Sequence, residues 1–195
     1  MSSPAAPQPP PGPQARRAVI LVTGIQAAGK STIAQLLAGR LPQSVHVRGD
    51  LFRRMIINGR ADMTPDPTSE AVRQLRLRYQ LAATVTDAYF QAGFTVIVQD
   101  VILGSHLAEM TGMIRSRPLL LIVLAPRAAA IADREKSRGK TAYGPWAIEQ
   151  LDTVLRHDTP RLGLWLDTSS QTPAETADEI LSRAWAEAQV PDQAS

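Results

Sequence analysis

Three short runs constrain this chain more than any other feature: AVILVT at 18–23, FTVIVQ at 94–99 and PLLLIVLA at 118–125. Each is apolar at nearly every position and rich in branched side chains. A strand with one face in water alternates apolar and polar residues. The first does not alternate at all, so it reads as a strand buried on both faces; the other two read as the third and fourth strands. The stretches between them carry apolar residues three and four apart, the helical spacing. Ile33, Leu36 and Leu37 set that spacing over Ser31–Arg40, which stops at GRLP. SVHVRGD reads as a second strand running into Asp50, and RLGLWLDTS contains a fifth.

Further helices are predicted over Leu51–Asn58, from Ser69 to about Gln91, and over LGSHLAEMTGMIRS. Others run from Arg127 to Ser137 and from Pro145 to His157. The last is TPAETADEILSRAWAEA, with Pro173 in its first turn and a capping-box pair in Thr172 and Glu175. Strands alternating with helices from end to end predict an α/β fold. It is a parallel sheet with helices on both faces, in three layers.

The chain of 195 residues suits one domain with a sizeable core, placed at 18–190. Residues 1–17 are proline-rich, lack periodic hydrophobics and read as a disordered tail. That tail has no apolar core of a signal peptide. The run LLLIVLA falls far short of the ~20 residues a membrane helix needs. The absence of cysteine rules out a disulfide framework, a thiolate metal site and a cysteine nucleophile. It fits a reducing, cytoplasmic setting. The net charge of +3 and pI near 9.7 suit a protein that handles phosphates. The excess is too small for a nucleic-acid scaffold.

Directly after the first strand comes GIQAAGKST, residues 24–32, a G-x-x-x-x-G-K-S match between a buried strand and a helix. Gly24 and Gly29 allow a backbone that points successive N–H groups at one anion. Ile25, Gln26, Ala27 and Ala28 make up the loop between them. Lys30 reaches the outer phosphates, the Ser31 hydroxyl can hold Mg²⁺, and Thr32 continues the helix whose N-terminus adds its dipole. The loop therefore predicts a bound nucleoside triphosphate.

A GTP switch would carry N-K-x-D, which is absent, and QDVILG lacks the D-x-x-G spacing of such switches. Phosphoryl transfer asks little covalent work of the protein. It needs the two oxygens positioned and the charge on the transferred group neutralised. Asp50, at the end of strand 2, is the candidate to orient or deprotonate an acceptor hydroxyl, or else caps the helix after it. Asp100, at the end of strand 3, is the candidate for Mg²⁺ or its water shell, or else a strand-end turn carboxylate. Arg134 and Arg138, four apart, are candidate lid arginines or part of a solvated basic face. His46, His106 and His157 have no metal-ligand spacing.

VILVTGIQAAGKST, VRGDLFRR, TVIVQDVILG and REKSRGK together resemble the chloramphenicol phosphotransferase-like P-loop kinases, which lie close to the zeta-toxin, shikimate and adenylylsulfate kinases. The resemblance runs from about Ala18 to Leu181. It implies an adenylate-kinase-like P-loop NTPase fold with sheet order 2-3-1-4-5. It also implies ATP, Mg²⁺ and transfer of the γ-phosphate to a hydroxyl of a small molecule such as an antibiotic. The family's catalytic aspartate falls on Asp50, with Lys30 beside it, and its lid arginine on Arg138 or Arg134, in a lid around 138–146. DTSSQTP, Asp167 to Pro173, is similar to the segment near the adenine. The acceptor region departs from the family pattern and is arginine-rich, so Arg53, Arg54, Arg73 and Arg76 could bind an anionic acceptor. Two alternatives stay open: a kinase of nucleotides or nucleic-acid ends, and a regulatory or toxin-like ATP-binding protein.

Overall fold

The structure, a computed structural model, describes residues 16–138 and 147–191, without the side chains of 137 and 138. The buried runs form β1 (Val19–Thr23), β3 (Thr95–Gln99) and β4 (Leu119–Leu124), joined by β2 (Ser44–Arg48) and β5 (Leu164–Leu166). All pairings are parallel, and the order is β2-β3-β1-β4-β5. β1 lies in the middle, with Ile20 opposite Ile97 on one side and Leu120 on the other.

Because side chains alternate across a strand, each central run feeds two cores. Leu21, Val98 and Leu121 face a layer built by α3 (Ser69–Gln91), α4 (His106–Met113), α5 (Ala128–Arg138) and α6 (Ile148–Thr153). Ile20, Ile97 and Ile122 face α1 (Lys30–Arg40) and α7 (Pro173–Glu187). Each fully buried aliphatic side chain stabilises by about 1.5–3 kcal/mol. This double burial explains why the central runs do not alternate in sequence. Among the described residues no helix is long and apolar enough to cross a membrane.

The capping box of α7 is present: Thr172 Oγ1 accepts from the Glu175 N–H, and Glu175 accepts from the Thr172 N–H at 2.8 Å. Two predicted helices come out differently. The one expected over Leu51–Asn58 is the short α2, Asp50–Arg54. The β-branched pair Ile56–Ile57 and the Asn58–Gly59 turn, with Gly59 at φ +74°, disfavour its extension. Gln74 of α3 then holds the chain after it, donating to the Gly59 carbonyl at 2.8 Å and accepting from the Ala61 N–H at 2.9 Å. The helix expected from Pro145 to His157 is α6 followed by a π-helical turn, Val154–Asp158. There Arg156 is drawn to the Pro126 carbonyl at 3.1 Å, and Thr159 Oγ1 bonds the Val154 carbonyl at 2.9 Å. Residues 145 and 146 lie outside the described residues, as do the expected tail through residue 15 and most of the expected lid.

On the edge strand β2, burial first and the neighbouring Arg48 charge second push His46 down from 6.5 to about 4. The unfolded chain therefore binds a proton in a range where the folded chain does not. The stability that neutral His46 supports is complete above pH 6.5 and is lost as the pH falls toward 4. Urea denaturation of His46→Gln should show a shallower loss of stability than the parent between those two values. Identical slopes would mean that His46 carries no such linkage.

Candidate active site

The carboxyl ends of β1, β2 and β3 open onto one cleft of about 800 Å³. In open parallel sheets this edge is where ligands bind. Gln26, Ala27, Lys30 and Ser31 line one part of it, and Asp50, Arg53, Arg78, Asp100 and His106 line another. Phosphate loop and acceptor candidates thus share one space.

The loop after β1 carries φ values of +143° at Gly24, +57° at Ala27 and +99° at Gly29. Such left-handed steps turn consecutive N–H groups toward a common concavity, a nest suited to phosphate. A Cβ on Gly24 would stand 2.5 Å from the Leu124 carbonyl oxygen, so glycine is required there. Gly29 is the N-cap of α1 and offers no capping side chain, which leaves the helix's first N–H groups to an anion. Lys30 is buried and its Nζ donates to the Ile25 carbonyl at 2.7 Å, drawing the ammonium over the loop. Ser31, on the first turn, is exposed. The residues fit a nucleotide phosphate chain, and Ser31 offers a hydroxyl for a divalent metal.

Asp50 is the first residue of α2, and Gly49 is the N-cap, so the cap role is not its own. Its carboxylate pairs with Arg54 at 2.7 Å and stays about one-third exposed. Arg53 pairs with Asp62 at 2.5 Å. Arg54 also lines the cleft, whereas Arg73 is engaged by Glu70 and Arg76 by Glu109 away from the cleft lining. The three-residue spacing of Arg73 and Arg76 therefore marks an outer face of α3.

Asp100 is nearly sealed from water, its side chain 2% exposed. Its Oδ1 accepts from the Val101 N–H at 2.7 Å, and its Oδ2 accepts from Arg78 Nε at 2.5 Å. Arg78 also makes a second contact to Oδ1. The charge this carboxylate must meet is thus met by a side chain of α3. Burial pushes the Arg78 guanidinium below its ordinary range, and Asp50 nearby opposes that shift. A Cβ on Gly49 would lie 2.0 Å from Asp100 Oδ2, so this close approach requires glycine. Thr23 fixes the following loop, giving its hydroxyl to the Ile102 carbonyl at 2.9 Å and accepting from the Ile102 N–H at 3.0 Å.

Arg78 is the residue that sequence reasoning missed. Its signal is position: it lies on the stripe of Ala71, Leu75 and Ala82, an arginine at a place where the helical period calls for an apolar side chain. Tyr79 beside it is buried, gives its hydroxyl to the Val101 carbonyl at 2.9 Å and stacks at a tilt on His106, with ring centroids 5.9 Å apart. Arg134 donates to the Ala28 carbonyl at 3.4 Å and to the Thr168 carbonyl. It bridges the phosphate loop and the DTSSQTP segment. The Arg138 side chain lies outside the described residues.

This sheet order, with a G-x-x-x-x-G-K-S loop leaving its central strand, defines a P-loop phosphotransferase of the kinase type. The model of the chloramphenicol phosphotransferase-like protein family matches residues 17–185, and the chain belongs to that family. It is 37% identical to an adenylyl-sulfate kinase of Paraburkholderia xenovorans over 87 residues, 43% of this chain and 44% of that one. In fold it is similar to an unliganded sugar kinase of Janibacter sp. (TM-score 0.62, 19% identity, 86% of this chain and 94% of the other). It is also similar to a tunicamycin resistance protein of Deinococcus radiodurans (TM-score 0.63, 16% identity, 90% and 100%).

Removing one member of the Arg78–Asp100 pair leaves a buried charge alone. Arg78→Met should lose about 3–5 kcal/mol in urea unfolding, and Arg78→Met with Asp100→Leu should recover much of it. Single-variant losses below about 1 kcal/mol would show that the pair does not hold α3 to the sheet edge.

Proposed function

We propose that this protein transfers the γ-phosphate of ATP to a hydroxyl of a small molecule, with Asp50 as the base or orienting carboxylate. The observation that carries the reading is the single cleft lined both by the phosphate loop and by Asp50. A protein that only bound ATP would need no carboxylate facing the space beyond the phosphates.

In this reading the acceptor oxygen attacks the γ-phosphorus, and the bond from that phosphorus to the β–γ bridging oxygen breaks. ADP leaves with the bridging oxygen, and the hydroxyl proton passes to Asp50. The nest of Gly24–Gly29 and Lys30 hold the phosphates, and Arg134 braces the nucleotide side by joining the phosphate loop to the segment at Thr168. Mg²⁺ would supply charge neutralisation at the phosphate oxygens, held by Ser31. Asp100, the other sequence candidate for the metal, has its charge met by Arg78, and its part is to anchor that arginine at the cleft wall.

Arg53 and Arg54, the candidates for an anionic acceptor, are each paired with a carboxylate. That pairing favours a neutral alcohol, a class that includes hydroxylated antibiotics and sugars, over a phosphorylated or nucleic-acid acceptor.

Asp50→Asn tests the assignment. ADP release stimulated by a hydroxylated acceptor should fall by about two to four orders of magnitude, with binding of a non-hydrolysable ATP analogue unchanged. Equal turnover in the variant would remove Asp50 from the chemistry.

A further inference from the structure

Six large apolar side chains stand well exposed among the described residues: Leu51, Met55, Ile57, Leu77, Leu81 and Tyr89. Five of them lie on α2, on the segment just after it, or on the middle of α3, the elements that wall the acceptor side of the cleft. Ile57 is 83% and Met55 68% exposed. Single exposed apolar residues need no explanation, but exposed apolar residues that also line a binding cleft do.

Leu77 and Leu81 are four apart on α3 and line the cleft, although they are 38% and 40% exposed. Ile56, Phe52 and Met63 line it from the facing segments. Phe52, Ile56, Met63, Leu77 and Leu81 thus give the cleft an apolar part of its lining beside the charged residues around Asp50. Those charges are balanced: Arg54 is paired with Asp50, Arg53 with Asp62, and Arg78 with Asp100. A ligand that matches both regions brings an uncharged hydroxyl-bearing head to the residues around Asp50 and an apolar tail to the apolar lining.

We infer that the acceptor is an uncharged amphiphile, a hydroxylated head carrying an aliphatic tail, and that Ile56, Leu77 and Leu81 form the tail subsite. This rests on the phosphotransferase reading for the head, whereas the tail contacts stand on the geometry alone. Water leaving these side chains and the tail together supplies the affinity, so binding grows with tail length.

The probes are 1-monoacylglycerols from butanoyl to decanoyl, kept below micelle-forming concentrations, with decanoate as the charged contrast. Calorimetric titration of the full chain should give affinity rising by about fourfold per added methylene. Leu77→Gln with Leu81→Gln should cut that dependence to half or less, with binding of a non-hydrolysable ATP analogue unchanged as the check on folding. Decanoate should bind more weakly than decanoylglycerol. Affinity independent of chain length, a dependence unchanged in the double variant, or decanoate binding as tightly as decanoylglycerol would each overturn the inference. The kinase reading fails separately. If Asp50→Asn leaves turnover unchanged while the chain-length dependence persists, the tail subsite stands without that chemistry. A flat dependence with Asp50-dependent turnover leaves the kinase without the subsite.

Discussion

Asp100 carries a negative charge to the carboxyl edge of the sheet, where water hardly reaches it. Such a charge is tolerated only with a partner, since desolvation costs several kcal/mol per ion. Arg78 reaches it from α3 and bonds both oxygens, and Gly49 leaves the room that the carboxylate occupies. The pair therefore joins three elements: β3, which delivers Asp100; the β2–α2 junction, which presents Asp50; and α3, which walls the acceptor side.

The same bookkeeping of charge shapes what the cleft accepts. Its arginines would make an anion trap if they stood alone. Each instead has a carboxylate, so the field over the part of the cleft around Asp50 is that of short dipoles. Lys30, the nest and the N-terminus of α1 lie in the other part of the cleft, an arrangement suited to phosphates. In the proposed reaction the first of these parts takes the acceptor and the second the phosphates. Leu77 and Leu81 add apolar lining to the cleft without adding charge.

How much of the site could be read beforehand depended on how local each feature is. The phosphate loop was legible in full, because glycine at forced backbone angles, a lysine and a hydroxyl must follow each other within a few residues. The place of Asp50 at a strand end was legible, and the structure puts it in the cleft lining. Arg78 was not, because its meaning depends on Asp100, 22 residues away, and on the turn of α3 that faces β3. Arg73 and Arg76 misled for the converse reason. Their spacing is regular, yet their partners, Glu70 and Glu109, keep them on the outer face.

The amino-acid sequence by itself determined the α/β class, the double burial of β1 and the phosphate loop. Each follows from hydrophobic period or backbone chemistry within a short window. The capping of α7 followed in the same way, from Thr172, Pro173 and Glu175. Only the tertiary structure decided where α2 ends, how the helix before β5 loosens into a π-helical turn, and which arginines enter the cleft. These outcomes turn on contacts between residues far apart in the chain: Gln74 holding the Gly59–Ala61 segment, Arg156 reaching the Pro126 carbonyl, and Arg78 neutralising Asp100. A local pattern carries no information about such contacts, because the energy that selects them is that of burying and pairing groups that meet only in the folded chain.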